Sequence, residues 1–230
     1  MPRLDCVSAV STADRTCLRK QIRRILQLDT DFSDFHAACK GDRILGFVHR
    51  HKCGGFLRGA SAFEDVIKTV CTTNCDWRNT KRMCEALCLL EGGNFPTPEQ
   101  VLTVSEASLA AKTSCGYRVR TIRLVAKLAA DGKLPLDDWV RDSEFDRVRA
   151  NLKSIWGIGP YALNHILVLL GDYSKIPVDS EVLSYLRRVH FNGREVSEKE
   201  AVKPYEQYGR FAYLAFKFGR MSRRFNYIDK

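Results

Sequence analysis

A lone carboxylate, Asp179, follows Ile176-Pro177-Val178 and stands 18 residues after Tyr161. A carboxylate with apolar neighbours can stabilise a cation that develops beside it, and can orient or activate a water molecule. The same residue type, followed here by Ser180-Glu181, is also among the best helix N-caps, and one side chain can do both. Upstream, Ile155-Trp156-Gly157-Ile158-Gly159-Pro160-Tyr161-Ala162 places two glycines one residue apart, so the backbone can turn sharply with its amides unshielded. Pro160 suits the first turn of a helix. Ile166, Leu169 and Leu170 then continue at helical spacing. A helix start of this kind points free N–H groups and a positive dipole end at one phosphate.

The elements that must hold these groups read as helices. Val, Ile and Thr do not gather into alternating runs, which argues against a β-rich domain. Periodicity predicts helices near 13–27, 31–39, 62–75, 78–91, 105–112, 117–131, 143–153, 160–170, 180–190 and 208–221. Gly92-Gly93, Gly132 and Gly171 supply stops, and Thr97 can cap a helix begun by Pro98. The fold class expected is all-α. With 230 residues, the chain can form one large domain or two small ones.

Lysine and arginine number 37 against 27 acidic residues, a formal net charge of +10. That favours a polyanionic partner, nucleic acid being the commonest. The segment from Lys203 to Lys230 carries seven basic and two acidic residues. No run of 18 apolar residues predicts a membrane span. The N-terminus lacks a secretory pattern, so an intracellular protein is expected, in a prokaryotic cytoplasm or a eukaryotic nucleus or organelle. The nine cysteines are an odd number and read as reduced thiols; Cys71/Cys75 and Cys84/Cys88 fall at i,i+4 spacing, better suited to small buried apolar residues than to a metal. His49-Arg50-His51-Lys52-Cys53 lacks a second ligand pair for zinc. His165, among apolar residues, reads as a satisfied histidine.

Gly157-Ile158-Gly159 together with Ile176-Pro177-Val178-Asp179 resembles the hairpin and aspartate loop of the helix-hairpin-helix (HhH-GPD) DNA glycosylases. Leu57-Arg58, Phe63-Glu64-Asp65-Val66-Ile67 and Thr72-Thr73-Asn74 are similar to the segment with which that superfamily enters the minor groove. The likeness runs from about Leu18 to Arg220. It is strong over 152–182 and 57–80, and lies nearest the alkylbase and oxoguanine branches. It implies two helical subdomains with the active site in the cleft between them. One would be 62–175, containing the hairpin at about 145–170; the other would join 1–61 with 176–230. The additional N-terminal β domain of some relatives is expected to be missing.

The resemblance also implies roles. Asp179 would be the catalytic carboxylate. Members that cut the strand place a lysine where this chain has Tyr161, and a phenol cannot form their Schiff base. The expectation is therefore hydrolysis alone; Lys153 and Lys175 lie nearby in sequence but off the motif. Tyr161 would stack on the flipped base or sugar, or pack between helices. Trp77 would wedge, stack or join the core. Trp156, Gly157, Ile158 and Gly159 would meet the DNA backbone, Trp156 being as suited to packing. The carbonyls of Lys153, Ile155 and Ile158 would hold a monovalent cation, with no essential metal. Asn74 would fill the gap left by the flipped base or cap a turn, and Arg118 and Arg120 would meet phosphates.

No cysteine follows Cys115, so the iron–sulfur cluster of some branches is not expected, nor any other cofactor. The implied partner is duplex DNA carrying a damaged base, bound by a monomer. Cationic alkylated purines such as 3-methyladenine are the favoured substrate, because they stack by cation–π attraction and leave readily. Uracil, mispaired thymine, adenine opposite a lesion and oxoguanine are alternatives, as is a hairpin DNA-binding protein without catalysis.

Overall fold

The computed structural model describes residues 11–90, 92–141 and 143–225. Met1–Asp5, Cys6 and the last five residues of the basic C-terminal segment lie outside them. In chain order the helices are α1 (Thr12–Ile25), α2 (Ser33–Ala38), α3 (Gly46–His51), α4 (Ala62–Thr72), α5 (Trp77–Leu89), α6 (Pro98–Thr103) and α7 (Glu106–Thr113). They continue as α8 (Arg118–Ala130), α9 (Leu136–Arg141), α10 (Phe145–Lys153), α11 (Pro160–Leu170), α12 (Ser180–Phe191) and α13 (Glu198–Ala201). A 3₁₀ segment (Lys203–Phe211) then leads into α14 (Ala212–Phe225). The fold is all-α, with no strand among the described residues.

Local chemistry sets most starts. Ser61, Asp76, Ser105 and Ser197 each accept a backbone N–H of the helix that follows. Thr97 and Gln100 form a reciprocal capping box with Pro98 in the first turn. Each such cap stabilises its helix by about 1 kcal/mol. The helix expected over 208–221 is instead broken: Gly209 adopts φ 51°, ψ −121°, which only glycine tolerates readily, and α14 begins three residues later. The short helices α3, α9 and α13 were not expected, since four to six residues are too few to display a period.

Two apolar clusters fill the molecule. One is drawn from residues between Ala62 and Leu170, centred on α4, α8 and α11. The other joins Phe35, Cys39, Leu45, Phe47 and Val48 to residues from Val168 to Phe218. Helix α11 belongs to both: Ala162, Leu163, Ile166, Leu167 and Leu170 face the first cluster, and Val168 faces the second. Side chains on the remaining face of α11 therefore stand where the two packed bodies meet.

Candidate active site and DNA-facing surface

The glycine hairpin between α10 and α11 is tightly packed on one side. Gly157 sits at φ 88°, and a Cβ there would fall 2.1 Å from Thr121 Oγ1. The Thr121 hydroxyl donates to the Trp156 carbonyl at 3.1 Å, tying the hairpin to α8. Ile158 is buried, and its N–H donates to the Ile155 carbonyl at 3.1 Å. That closes the turn, so one of the three carbonyls expected to face a cation already accepts a bond. Gly159 is the N-cap of α11 and Pro160 opens it. The first-turn amides of α11 have no acceptor within the helix and emerge beside an exposed surface. Trp156 is half exposed, with the Arg120 guanidinium 4.6 Å above its ring. The pair brackets the hairpin with an accessible cation and an aromatic face.

A second exposed aromatic lies beside Asn74. Asn74 is in the left-handed region at φ 47°, just beyond α4, and its Nδ2 donates to the Tyr117 hydroxyl at 3.3 Å. Tyr117 is 54% exposed, too open for a core role. Arg118, expected to meet a phosphate, is instead buried; its Nη2 donates to the Thr73 carbonyl and its guanidinium lies 4.6 Å over the Tyr117 ring. Arg118 therefore braces the Asn74 turn from behind. Trp77, at the start of α5, is 69% exposed and so lies outside the core. Tyr117 lies in the Gly116–Arg120 stretch that resembles the family's turn before a helix, but the sequence assigned it no role. Its signal was available in Gly116-Tyr117-Arg118, where the tyrosine directly precedes the first helical residue.

Asp179 is the N-cap of α12, its Oδ1 accepting from Val182 N at 2.7 Å. The loop that carries it is fixed from two sides. Arg149 on α10 reaches Asp172 at 2.7 Å and Asn164 at 3.2 Å. The Tyr173 hydroxyl accepts from Arg58 at 2.8 Å and donates to Gln27 at 2.9 Å. Gln27 Nε2 in turn donates to the Phe56 carbonyl at 2.6 Å. These bonds hold the Phe56 ring against Tyr173 and Tyr213, with centroids 6.0 and 5.8 Å apart.

Two helices bring further chemistry-bearing side chains near this loop. On α11, Tyr161 and His165 are one turn apart with ring centroids separated by 5.8 Å. On α14, Tyr213 and Lys217 are one turn apart and half-buried, while Leu214, Ala215, Phe216 and Phe218 are buried. The Lys217 ammonium lies 4.9 Å over the Phe56 ring. Charge links the ladder. Burial pushes the Tyr161 phenol up, Asp179 adds to the effect, and Thr72 opposes it by hydrogen bonding. Burial lowers the His165 imidazole, Asp179 raises it and Lys217 lowers it further. The Tyr213 phenol is pushed up to about 12, mainly by burial with Tyr161 next. Burial lowers the Lys217 amine.

Tyr161, His165, Tyr213, Lys217 and Asp179 thus share one electrostatic environment, although only Tyr161 and Asp179 were singled out as chemistry-bearing in the sequence. The other lysines considered, Lys153 and Lys175, are exposed. Lys217 stands in the apolar run Ala212-Tyr213-Leu214-Ala215-Phe216-Lys217-Phe218, and a single charge in such a run was the available signal. A separate cavity of about 760 Å³, lined by Gln21, Glu64, Phe95, Asp137 and neighbours, contains none of these residues.

No family model matches the sequence. Among curated proteins the chain is 24% identical over 206 residues to an N-glycosylase/DNA lyase of Saccharomyces cerevisiae. That match covers 80% of this chain and 55% of the yeast protein, so the chain spans about half the relative's length. Among solved structures it is similar to Clostridium acetobutylicum 8-oxoguanine glycosylase/lyase in complex with double-stranded DNA, with a TM-score of 0.71, 18% identity, and 94% of this chain and 77% of that one covered. It is also similar to the 3-methyladenine DNA glycosylase from Archaeoglobus fulgidus, with a TM-score of 0.70, 20% identity, and 94% and 78% covered.

Proposed function

Starting from the helix-hairpin-helix DNA glycosylase fold of this chain, we propose that it is a DNA glycosylase that extrudes a damaged base from duplex DNA and hydrolyses its N-glycosidic bond. The carrying observation is Asp179, anchored at the start of α12 and electrostatically linked to Tyr161 on the helix that follows the glycine hairpin. DNA would be gripped by the first-turn amides of α11, with Trp156, Gly157, Ile158, Gly159 and Arg120 at the backbone. Asn74 and Tyr117 would enter the duplex where the base leaves it. Trp77, exposed at the start of α5, is assigned to the flanking duplex. The carbonyls of Lys153, Ile155 and Ile158 are the candidates for a monovalent cation, Ile155 with the lone pair its turn bond leaves free, and no step depends on one.

The expected reaction is hydrolysis without strand cutting. With Tyr161 at the hairpin position, water attacks the sugar carbon while Asp179 stabilises the developing cation and orients the water. The enzyme would act as a monomer, inside the cell, without an iron–sulfur cluster. Two substrate readings follow. Alkylated purines such as 3-methyladenine are supported by the aromatic side chains Tyr161, Tyr213 and Phe56, since a cationic base stacks on such faces. Lys217 favours the second reading, a neutral base such as oxoguanine or uracil.

The test is base release from duplex oligonucleotides carrying 3-methyladenine, hypoxanthine, uracil, mispaired thymine or oxoguanine, each analysed with and without hot alkali. Strand breaks only after alkali are the expected result. Breaks without alkali, together with a borohydride-trapped adduct, would replace hydrolysis with a lyase mechanism. Tight binding with no base released from any duplex would leave a non-catalytic DNA-binding protein.

A further inference from the structure

We propose that Lys217 is the residue that reads the extruded base, selecting a neutral base that presents a keto oxygen and rejecting cationic alkylated purines. The proposal rests on the glycosylase reading above and deepens it. Lys217 sits one turn beyond Tyr213 on the half-buried face of α14, with its ammonium 4.9 Å over Phe56 and close enough to α11 for its charge to act on His165. It makes no ion pair with a carboxylate among the described residues. Its surroundings include the Phe56 ring and the His165 imidazole, whose hold on a proton burial lowers, Asp179 raises and Lys217 lowers. The Asp179 carboxylate acts on the same imidazole in the opposite sense, and Arg58 donates through Nη2 to Tyr173 while its buried Nε has no partner.

Lys217 is half-buried and, among the described residues, its ammonium is engaged by the Phe56 ring face alone, so its N–H donors are left to offer to an acceptor on a bound base. The space between Tyr161, Tyr213 and Phe56 is where a flat base would enter, and a keto oxygen on its edge would be that acceptor. The amine remains a donor whether or not it carries its third proton, so a lowered affinity for that proton does not abolish the bond.

The chemistry of departure points the same way. When the glycosidic bond breaks, its electron pair stays on the base. A neutral base leaves as an anion, whose charge the Lys217 ammonium offsets while Asp179 offsets the sugar cation. Water adds its hydroxyl to the sugar carbon, and the proton it releases neutralises the departed base. A cationic alkylated purine leaves neutral and has no use for such a group. In its bound state it would be repelled by a lysine a few ångströms away.

Single-turnover base release would be measured for the wild type, Lys217→Met and Lys217→Arg on duplexes carrying oxoguanine, hypoxanthine, uracil, 7-methylguanine or 3-methyladenine. Affinity for an abasic-analogue duplex and the melting temperature would report on folding. The wild type should release at least one neutral keto base (oxoguanine, hypoxanthine or uracil) about tenfold faster than either cationic methylated purine. Lys217→Met should lose about a hundredfold on that base and keep or gain rate on the methylated purines, with Lys217→Arg in between. Faster release of the cationic purines by the wild type would overturn the proposal, as would a substrate ratio that Lys217→Met leaves unchanged. A borohydride-trapped adduct that disappears in Lys217→Met would overturn it too, by making Lys217 a nucleophile. If both methylated and keto bases are released but the ratio is insensitive, only the Lys217 assignment falls. If no base is released from any duplex, the glycosylase reading falls with it.

Discussion

The two ends of the first turns of α11 obey different rules. At its N-terminus the hairpin is made from consecutive residues. Gly157 needs its positive φ, Gly159 caps, Pro160 starts the helix, and the amides emerge because the sequence around them leaves them free. Within that first turn and the next, Tyr161 and His165 owe their environment to residues far away in sequence: Thr72 on α4, Asp179 before α12, and Tyr213 and Lys217 on α14. On the proposed reading the first region supplies sequence-independent contact, and the second brings half-buried aromatic rings, a lysine and an exposed carboxylate within electrostatic reach of one another. Backbone grip can be encoded locally, whereas selectivity for a base requires a wall assembled by the whole fold.

The sharpest break between the regions is Asp179→Asn. Asparagine caps a helix as well as aspartate does, so α12 and the melting temperature should be preserved. Base release should fall by about a hundredfold or more, since the negative charge beside the sugar is gone. Binding to lesion duplex should persist. Asp179→Ala should add a loss of about 1 kcal/mol of stability, measurable by denaturant unfolding, because the bond to Val182 N is also lost. Equal stability losses in the two variants would mean that the carboxylate charge, and not the cap, holds the loop.

How much could be seen in advance follows the same division. The hairpin, the start of α11 and the Asp179 loop were legible because each is specified within a few residues by glycine, proline and a capping side chain. The all-α class was legible from period alone. The base-side wall was not. Tyr213 and Lys217 lie in a stretch whose expected helix ran through Gly209, and only the kink at φ 51° sets which face of α14 turns inward. Arg118 misled for a related reason: an arginine after a glycine turn resembles a phosphate contact, and nothing local reveals that Thr73 supplies its acceptor.

Gly157→Ala should damage the hairpin while sparing the pocket. Positive φ costs an L-residue about 1–2 kcal/mol, and the new methyl would meet Thr121 Oγ1, which must move and release the Trp156 carbonyl. Affinity should drop about tenfold for intact and lesion duplex alike, because a phosphate contact carries no sequence information. A loss confined to lesion duplex would place the hairpin at the base instead. Tyr117→Ala should do the opposite at smaller scale, weakening lesion binding and excision severalfold, with little effect on intact duplex. Fluorescence anisotropy with both duplexes separates the two outcomes.

The smallest effect bears most directly on the pocket's geometry. His165 holds its proton less readily than a free histidine, chiefly through burial, with Lys217 acting in the same direction and Asp179 against it. The unfolded chain takes up that proton near pH ~6.5, before the folded state does. Stability from this site is therefore complete above that pH and declines as pH falls toward the folded value. Lys217→Met should raise the His165 titration midpoint and Asp179→Asn should lower it, both read from the imidazole resonances by NMR. Gly157→Ala should leave the midpoint where it is. Opposite shifts from α14 and the α12 loop would mean that both charges lie close to His165, as a base site shared by the two requires. Shifts of the same sign would separate Lys217 from the pocket and leave only the hairpin half of the comparison standing.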